Sequence, residues 1–191
     1  MKTTLFTLMV LALCLFPLQN AKGQTPEETQ KAWAAYMTPS EMHKMMAEEV
    51  GTWKADMTFW MAPGAPPQES STTAVIEMIL DGRYQKGSYS GNMMGMSFNG
   101  MSLLGYDNAA EEFTTIWIDN MGTGTMVMKG TYDPATKSIT FMGEMMNPAT
   151  GRPIDVKEVY TFVDADTRKM EMYDTTGDKE FKSMEIVMTR K

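Results

Sequence analysis

The chain has 191 residues, with 17 basic and 24 acidic side chains and a formal net charge of −7. A chain of this length forms one domain around one core and needs no disulfide to hold it. The acidic balance, with no basic cluster to offset it, argues against nucleic acid and anionic lipid as partners. We therefore expect a single globular domain whose partner is neither nucleic acid nor anionic lipid.

Residues 1–23 have the features of an export signal. After an early lysine, an apolar core runs from Leu5 to Leu18, and the small residues of Ala21-Lys22-Gly23 precede the expected cleavage point. A lipoprotein signal is disfavoured because Leu13, directly before Cys14, is not small. Cleavage predicts a periplasmic or secreted protein of 191 − 23 = 168 residues that has lost the chain's one cysteine.

Residues 24–50 predict two short helices. Thr25-Pro26-Glu27-Glu28 is a capping box with proline at the first helical position. Thr38-Pro39-Ser40-Glu41 repeats this arrangement before the second helix. The apolar stripes are Trp33, Tyr36 and Met37 on the first helix, and Met42, Met45, Met46 and Val50 on the second. Both stripes are expected to pack against the domain that follows.

From residue 51 onward, apolar and polar residues alternate in ten short stretches. In the first stretch Trp53, Ala55, Met57, Phe59 and Met61 alternate with polar residues, so one face alone is core. Short turns such as Asp81-Gly82 and Thr176-Gly177-Asp178 join the stretches, which favours consecutive antiparallel pairing. The pattern predicts an all-β domain over residues 51–191, a single up-and-down antiparallel barrel. The expected strands are 52–61, 70–80, 83–90, 94–104, 112–119, 124–131, 138–146, 154–163, 168–174 and 180–190.

A barrel of the outer membrane is disfavoured by the charges on these strands. Lys54, Asp56, Glu77 and Lys157 interrupt the faces that would have to meet lipid. A charged side chain near the bilayer midplane costs about 2–4 kcal/mol when it is basic and somewhat less when it is acidic. The sequence therefore predicts a water-soluble barrel with no membrane span.

Several motifs resemble those of known barrel proteins. Gly51-Thr52-Trp53, after a short helix, resembles the first strand of lipocalins and the wider calycin group. In that group the Trp closes one barrel end and an Arg of the last strand packs on it, which implies these roles for Trp53 and Arg190. A longer set of motifs is Pro39-Ser40-Glu41-Met42-His43-Lys44, Met78-Ile79-Leu80-Asp81-Gly82-Arg83-Tyr84, Gly105-Tyr106-Asp107-Asn108, Trp117-Ile118-Asp119, Met121-Gly122-Thr123-Gly124 and Gly130-Thr131-Tyr132-Asp133-Pro134. By these motifs the chain from about Pro39 to its C-terminus also resembles the bacterial DUF1579 family, which implies a lipocalin-like barrel and no established activity.

The interior of such a barrel is the candidate site. A barrel near this strand number either packs solid or holds one small molecule. The apolar faces favour an apolar or amphipathic ligand, and His43 on the second helix is a candidate residue at the barrel mouth. The residues expected to line the cavity are Met57, Phe59, Met94, Met96, Phe98, Trp117, Met184 and Met188.

Two other functions stay open, and catalysis is not expected. Methionine makes up 21 of the 168 residues of the mature chain, and thioethers suit Cu(I), so copper binding is an alternative to apolar packing. A barrel with a filled interior and a structural or interaction role is the other. Most catalytic pairs of a nucleophile and a general base need a histidine, and His43 is the one histidine of this chain. Haem-binding barrels of similar shape use a histidine on a late strand, which this chain lacks, so no cofactor is expected.

Overall fold

The computed structural model describes residues 24–175 and 180–191, which form two helices and ten strands. The predicted signal peptide and the Thr176-Gly177-Asp178 turn lie outside the described residues. The helices are α1 (Pro26–Met37) and α2 (Glu41–Ala47). The strands are β1 (Gly51–Phe59), β2 (Gln68–Ile79), β3 (Tyr84–Met93), β4 (Met96–Asp107), β5 (Glu112–Asp119), β6 (Met126–Asp133), β7 (Ser138–Asn147), β8 (Arg152–Phe162), β9 (Thr167–Asp174) and β10 (Phe181–Arg190).

The ten strands form one closed barrel in which each strand pairs with its neighbours in sequence. All pairings are antiparallel, and β1 closes the barrel by pairing with β10 as well as with β2. The closing register places Trp53 opposite Arg190 and Phe59 opposite Met184. The predicted up-and-down barrel is confirmed.

Alternation along the strands separates a core face from a solvent face. On β1, Trp53, Ala55 and Met57 are buried, whereas Lys54 and Asp56 between them are exposed and form an ion pair of 2.8 Å. Successive side chains of a strand point to opposite faces, so a single register error would turn all of these residues around. The alternate positions of the apolar residues in each strand therefore determine which side chains face the barrel interior.

Helix α2 closes one end of the barrel. Met46 is 1% exposed and belongs to the same core cluster as Phe113, Met128 and Ile139 of β5, β6 and β7. At the helix C-terminus Arg190 donates hydrogen bonds of 2.8 Å to the carbonyl oxygens of Glu48 and Val50. The last strand thus holds the helix that covers the barrel end.

Helix α1 lies outside this core. It has no buried residue, and Trp33, Tyr36 and Met37 are between 46% and 59% exposed. The expectation that this face packs against the barrel is wrong, because the contacts of the segment are made by its backbone. Arg83 donates to the Met37 carbonyl oxygen and Asn108 to that of Thr38, each at 2.8 Å. Within the described part of the chain, no helix is both long and apolar enough to cross a membrane.

Candidate ligand-binding cavity

The barrel encloses a cavity of about 280 Å³, to which all ten strands and α2 contribute side chains. Sites for small molecules usually measure roughly 300–1,000 Å³, so this one suits a small ligand. Methionine is the commonest residue in its wall. Eleven line it: Met45, Met46, Met57, Met93, Met121, Met126, Met128, Met170, Met172, Met184 and Met188.

Six of the predicted cavity residues line the wall: Met57, Phe59, Phe98, Trp117, Met184 and Met188. The prediction for Met94 and Met96 is wrong, because they lie at the β3–β4 turn and are 60% and 50% exposed. Met94 has a φ of 52° and forms the turn with Gly95, so the strand begins only at Met96. Met93, at the end of β3, is buried and lines the cavity in place of the predicted Met94 and Met96.

Aromatic side chains form part of the wall around Trp117. Its ring lies 5.0 Å from that of Tyr89 and 6.3 Å from that of Phe98, between centroids. Gly100 makes room for it, because a Cβ there would lie 2.7 Å from the indole ring. The indole Nε1 donates to a carboxylate oxygen of Asp119 at 2.6 Å, which fixes the ring against the cavity.

The cavity extends to the barrel end opposite α2. Met121, in the β5–β6 connection, lines the cavity and is 41% exposed, so the cavity reaches the surface there. Asp119, which is also in the wall, accepts hydrogen bonds from the backbone N–H groups of Met121 and Gly122. We call the residues Asp119 and Met121 the mouth.

His43 does not lie at the mouth, which corrects the sequence prediction. It sits on α2 at the closed end, 6% exposed, and is not part of the cavity wall. Its Nδ1 accepts a 3.0 Å hydrogen bond from the backbone N–H of Ser40, so the imidazole caps the start of the helix. Burial and the guanidinium of Arg83 lower the pKa of His43, and a hydrogen bond with the Tyr106 backbone offsets part of that. The role of His43 in this structure is to hold α2.

Trp53 and Arg190 meet at the closed end. The Arg190 guanidinium carbon lies 4.2 Å from the centroid of the Trp53 ring, which is fully buried. The indole Nε1 donates to the Glu49 carbonyl oxygen at 2.9 Å. The guanidinium also carries the α2 hydrogen bonds described above, so it joins the first strand, the last strand and the helix.

A double-mutant cycle is expected to detect this contact. Trp53→Phe and Arg190→Met should each lower the free energy of unfolding, and their coupling should be about 0.5–2 kcal/mol because the cation lies over the ring. Urea unfolding of the wild type, both single variants and the double variant gives the coupling. Losses that simply add would mean that the cation–aromatic contact contributes nothing.

A network of polar side chains adjoins the closed end of the cavity. Glu49, 4% exposed, accepts from Arg168 Nε at 2.6 Å, from the Tyr160 hydroxyl at 3.0 Å and from Gln85 Nε2 at 3.1 Å. Arg168, also 4% exposed, donates further hydrogen bonds to the carbonyl oxygens of Asp164 and Thr167. Every oxygen of the buried Glu49 carboxylate is therefore satisfied.

A second carboxyl, that of Glu158, faces the cavity with no such partners. Its neighbours across the two adjoining strands are Phe141 and Met172, both buried and apolar. Among the described residues no group donates a hydrogen bond to it, and no cation pairs with it. Burial in these surroundings raises the pKa of Glu158 from 4.5 to about 7. The residues Val156, Glu158, Tyr160 and Phe162 share one strand face, so a charged residue on an otherwise apolar face was the sequence signal for it.

Glu158 should make stability depend on pH. The unfolded chain releases this proton near pH 4.5 and the folded chain near 7, so stability falls as the pH rises between these values. Replacing Glu158 with Gln should remove roughly 3 kcal/mol of that fall, since each pKa unit is worth about 1.4 kcal/mol. Urea unfolding of the wild type and Glu158→Gln at pH 5 and pH 8 measures the difference. Parallel pH profiles would contradict the prediction.

A closed barrel of ten antiparallel strands around an apolar cavity, with an arginine of the last strand on a tryptophan of the first, defines a lipocalin-like protein. The chain belongs to the family described as protein of unknown function (DUF1579), which it matches over residues 38–190.

Two solved structures are similar to this barrel. Rv2717c from M. tuberculosis has a TM-score of 0.57 and 13% sequence identity, with 81% of this chain and 99% of that chain covered. The S-type phycobiliprotein lyase CPES from Guillardia theta has a TM-score of 0.53 and 12% identity, with 78% and 92% covered. At these identities the similarity concerns the fold alone. No curated protein matches the chain.

Proposed function

We propose that this protein is exported and binds one small apolar or amphipathic molecule inside the barrel. The cavity of about 280 Å³ is the observation that carries the proposal. An engineered apolar cavity of about 150 Å³ is large enough to bind benzene, so the volume here suits a ligand of about two to three aromatic rings. The proposed role is binding rather than catalysis, in the periplasm or outside the cell.

The composition of the wall supports an apolar ligand of adaptable shape. Methionine is unbranched and polarizable, and it moves easily between rotamers, so it fits irregular ligands better than branched side chains do. The aromatic group of Tyr89, Phe98 and Trp117 adds flat surfaces against which a ring can stack. An empty volume of this size also argues against the filled-barrel alternative.

Cu(I) binding is a second candidate, favoured by the eleven methionines of the wall. Thioether sulfur is a soft ligand that suits Cu(I). The Met42, Met45 and Met46 group, however, belongs to one apolar cluster: Met46 is 1% exposed in its core, and Met42 and Met45 pack against it. Apolar packing already accounts for these side chains, so the organic ligand remains the first proposal.

Native mass spectrometry of protein purified from the periplasm tests both candidates at once. We expect a mature chain that starts at Gln24, with an organic adduct that leaves on activation in the gas phase. A copper adduct would support the second candidate instead. A retained signal sequence would contradict export.

Titration with the neutral dye N-phenyl-naphthylamine tests the cavity itself. Its fluorescence should rise on binding to the folded protein and return to the free value in urea. Folded protein that binds no dye and carries no adduct would overturn the proposed function.

A further inference from the structure

The interior contains two carboxyl groups in opposite situations: Glu49 is buried, and the half-buried Glu158 lines the cavity. Glu49 has an arginine, a tyrosine and a glutamine donating to it, whereas no described residue donates to Glu158. A carboxyl that lines an apolar cavity with neither a donor nor a cation beside it costs free energy, so it requires an explanation. Because Glu158 faces the cavity, the missing partner fits inside the cavity.

The polar side chains around Glu158 are already engaged or are uncharged. Arg168, a buried cation, is held by Glu49 and two backbone carbonyls, and the Tyr160 hydroxyl also donates to Glu49. Burial raises the pKa of Tyr89 to about 12 and that of Tyr160 well above 10.0, so both hydroxyls stay protonated at neutral pH. Among the described residues of the cavity wall, no cation is left to neutralise Glu158.

On the basis of the proposed function, we propose that the ligand carries a basic nitrogen and that Glu158 binds this nitrogen as an ion pair in the cavity. A hydrogen bond between an ammonium group and a carboxylate is among the strongest in proteins, and it removes the cost of an unpaired buried charge. The remainder of such a ligand would lie against the methionine and aromatic wall. The ligand class is therefore a small apolar amine.

The charge along the entry path agrees with this class. The mouth carries Asp119, which accepts from Trp117 and two backbone N–H groups and presents its carboxylate at the cavity wall. The whole chain has a formal net charge of −7. A cationic ligand is attracted to this opening, whereas an anionic one is repelled by both carboxyl groups.

Three probes that share one naphthyl ring separate charge from shape: naphthylmethylamine, naphthalenemethanol and naphthylacetate. At pH 8 we expect wild-type protein to bind the amine at least about tenfold more tightly than the alcohol, and to bind the acetate most weakly. Glu158→Gln should remove the preference for the amine and still bind the alcohol. Glu144→Gln, which removes a carboxylate from the exposed outer face of β7, should keep the preference.

Calorimetry of the wild type provides a second measurement that needs no variant. At pH 6 the carboxyl of Glu158 holds its proton, so binding of the ammonium should release close to one proton, and binding of the alcohol none. Titrations in two buffers of different ionisation enthalpy count these protons.

The possible results distinguish the two proposals. A preference for the amine that depends on Glu158, together with proton release, supports the ion pair. Binding of the alcohol with no preference for the amine, or a preference that survives in Glu158→Gln, would overturn the amine class and leave the proposed function standing. If none of the three probes binds, the proposed function fails and the amine class fails with it.

Discussion

Replacing Arg168 with Met is expected to lower the free energy of unfolding by about 3–5 kcal/mol, because the variant leaves the Glu49 carboxylate buried without its cation. Both side chains of this pair are at most 5% exposed, and the nitrogen–oxygen distance is 2.6 Å. The loss should include the contacts of the guanidinium with the rings of Trp53 and Phe162, at 5.2 and 5.0 Å. Urea unfolding followed by circular dichroism measures the change.

Two further variants show whether the loss comes from the unpaired charge. Glu49→Leu combined with Arg168→Met removes both charges and should be less destabilising than the sum of the single variants. Lys129→Met breaks the exposed pair with Glu112, which is 2.6 Å long, and should cost less than about 1 kcal/mol. A double variant whose loss equals the sum would show that the pair is not a unit.

The alternation of apolar and polar residues along the strands was sufficient to predict the barrel, and six of the eight predicted cavity residues lie in its wall. Met57 and Phe59 were placed inside because one face of β1 is apolar throughout, and the closing register of β1 with β10 places Met184 and Met188 beside them. Parity does not mark where a strand ends. For this reason the pattern predicts Met94 and Met96, which share the parity of Phe98, to lie inside, although Met94 lies in the turn and Met96 is the exposed first residue of β4.

The polar interior depends on long-range register, which one sequence does not contain. Glu49 and Arg168 are 119 positions apart, and they meet only because β1 closes against β10 and β9 follows. Glu158 is different, since a carboxyl on an apolar strand face is visible in the sequence. Helix α1 was predicted wrongly, because an apolar stripe does not reveal whether a partner surface lies opposite it.

The two proposals give the ligand an orientation in the barrel. Aromatic rings and methionines surround the part of the cavity that reaches the mouth, whereas the polar network of Glu49 adjoins the closed end. An amine paired with Glu158 would leave the apolar part of the ligand against the methionine wall. The barrel would then bind both the basic nitrogen and the apolar part of an amphipathic molecule.

Met57→Lys is expected to abolish binding of N-phenyl-naphthylamine. Met57 is 5% exposed, lines the cavity and packs with Met93 and Phe98. A lysine there has about the size of methionine but brings an ammonium group into the apolar wall, at a cost of several kcal/mol when it is unpaired. Dye affinity should fall beyond detection, whereas the circular dichroism spectrum should keep its strand signal.

Asp56→Lys is the matched control for this variant. It introduces the same side chain one residue away, but Asp56 is exposed on the outer face of β1. Its ion pair with Lys54 is a surface pair, so its loss should cost less than about 1 kcal/mol. The dye should therefore bind to Asp56→Lys as it binds to the wild type. Equal loss of binding in both variants would show that the dye does not occupy the barrel interior, and unchanged binding in folded Met57→Lys would place the site elsewhere.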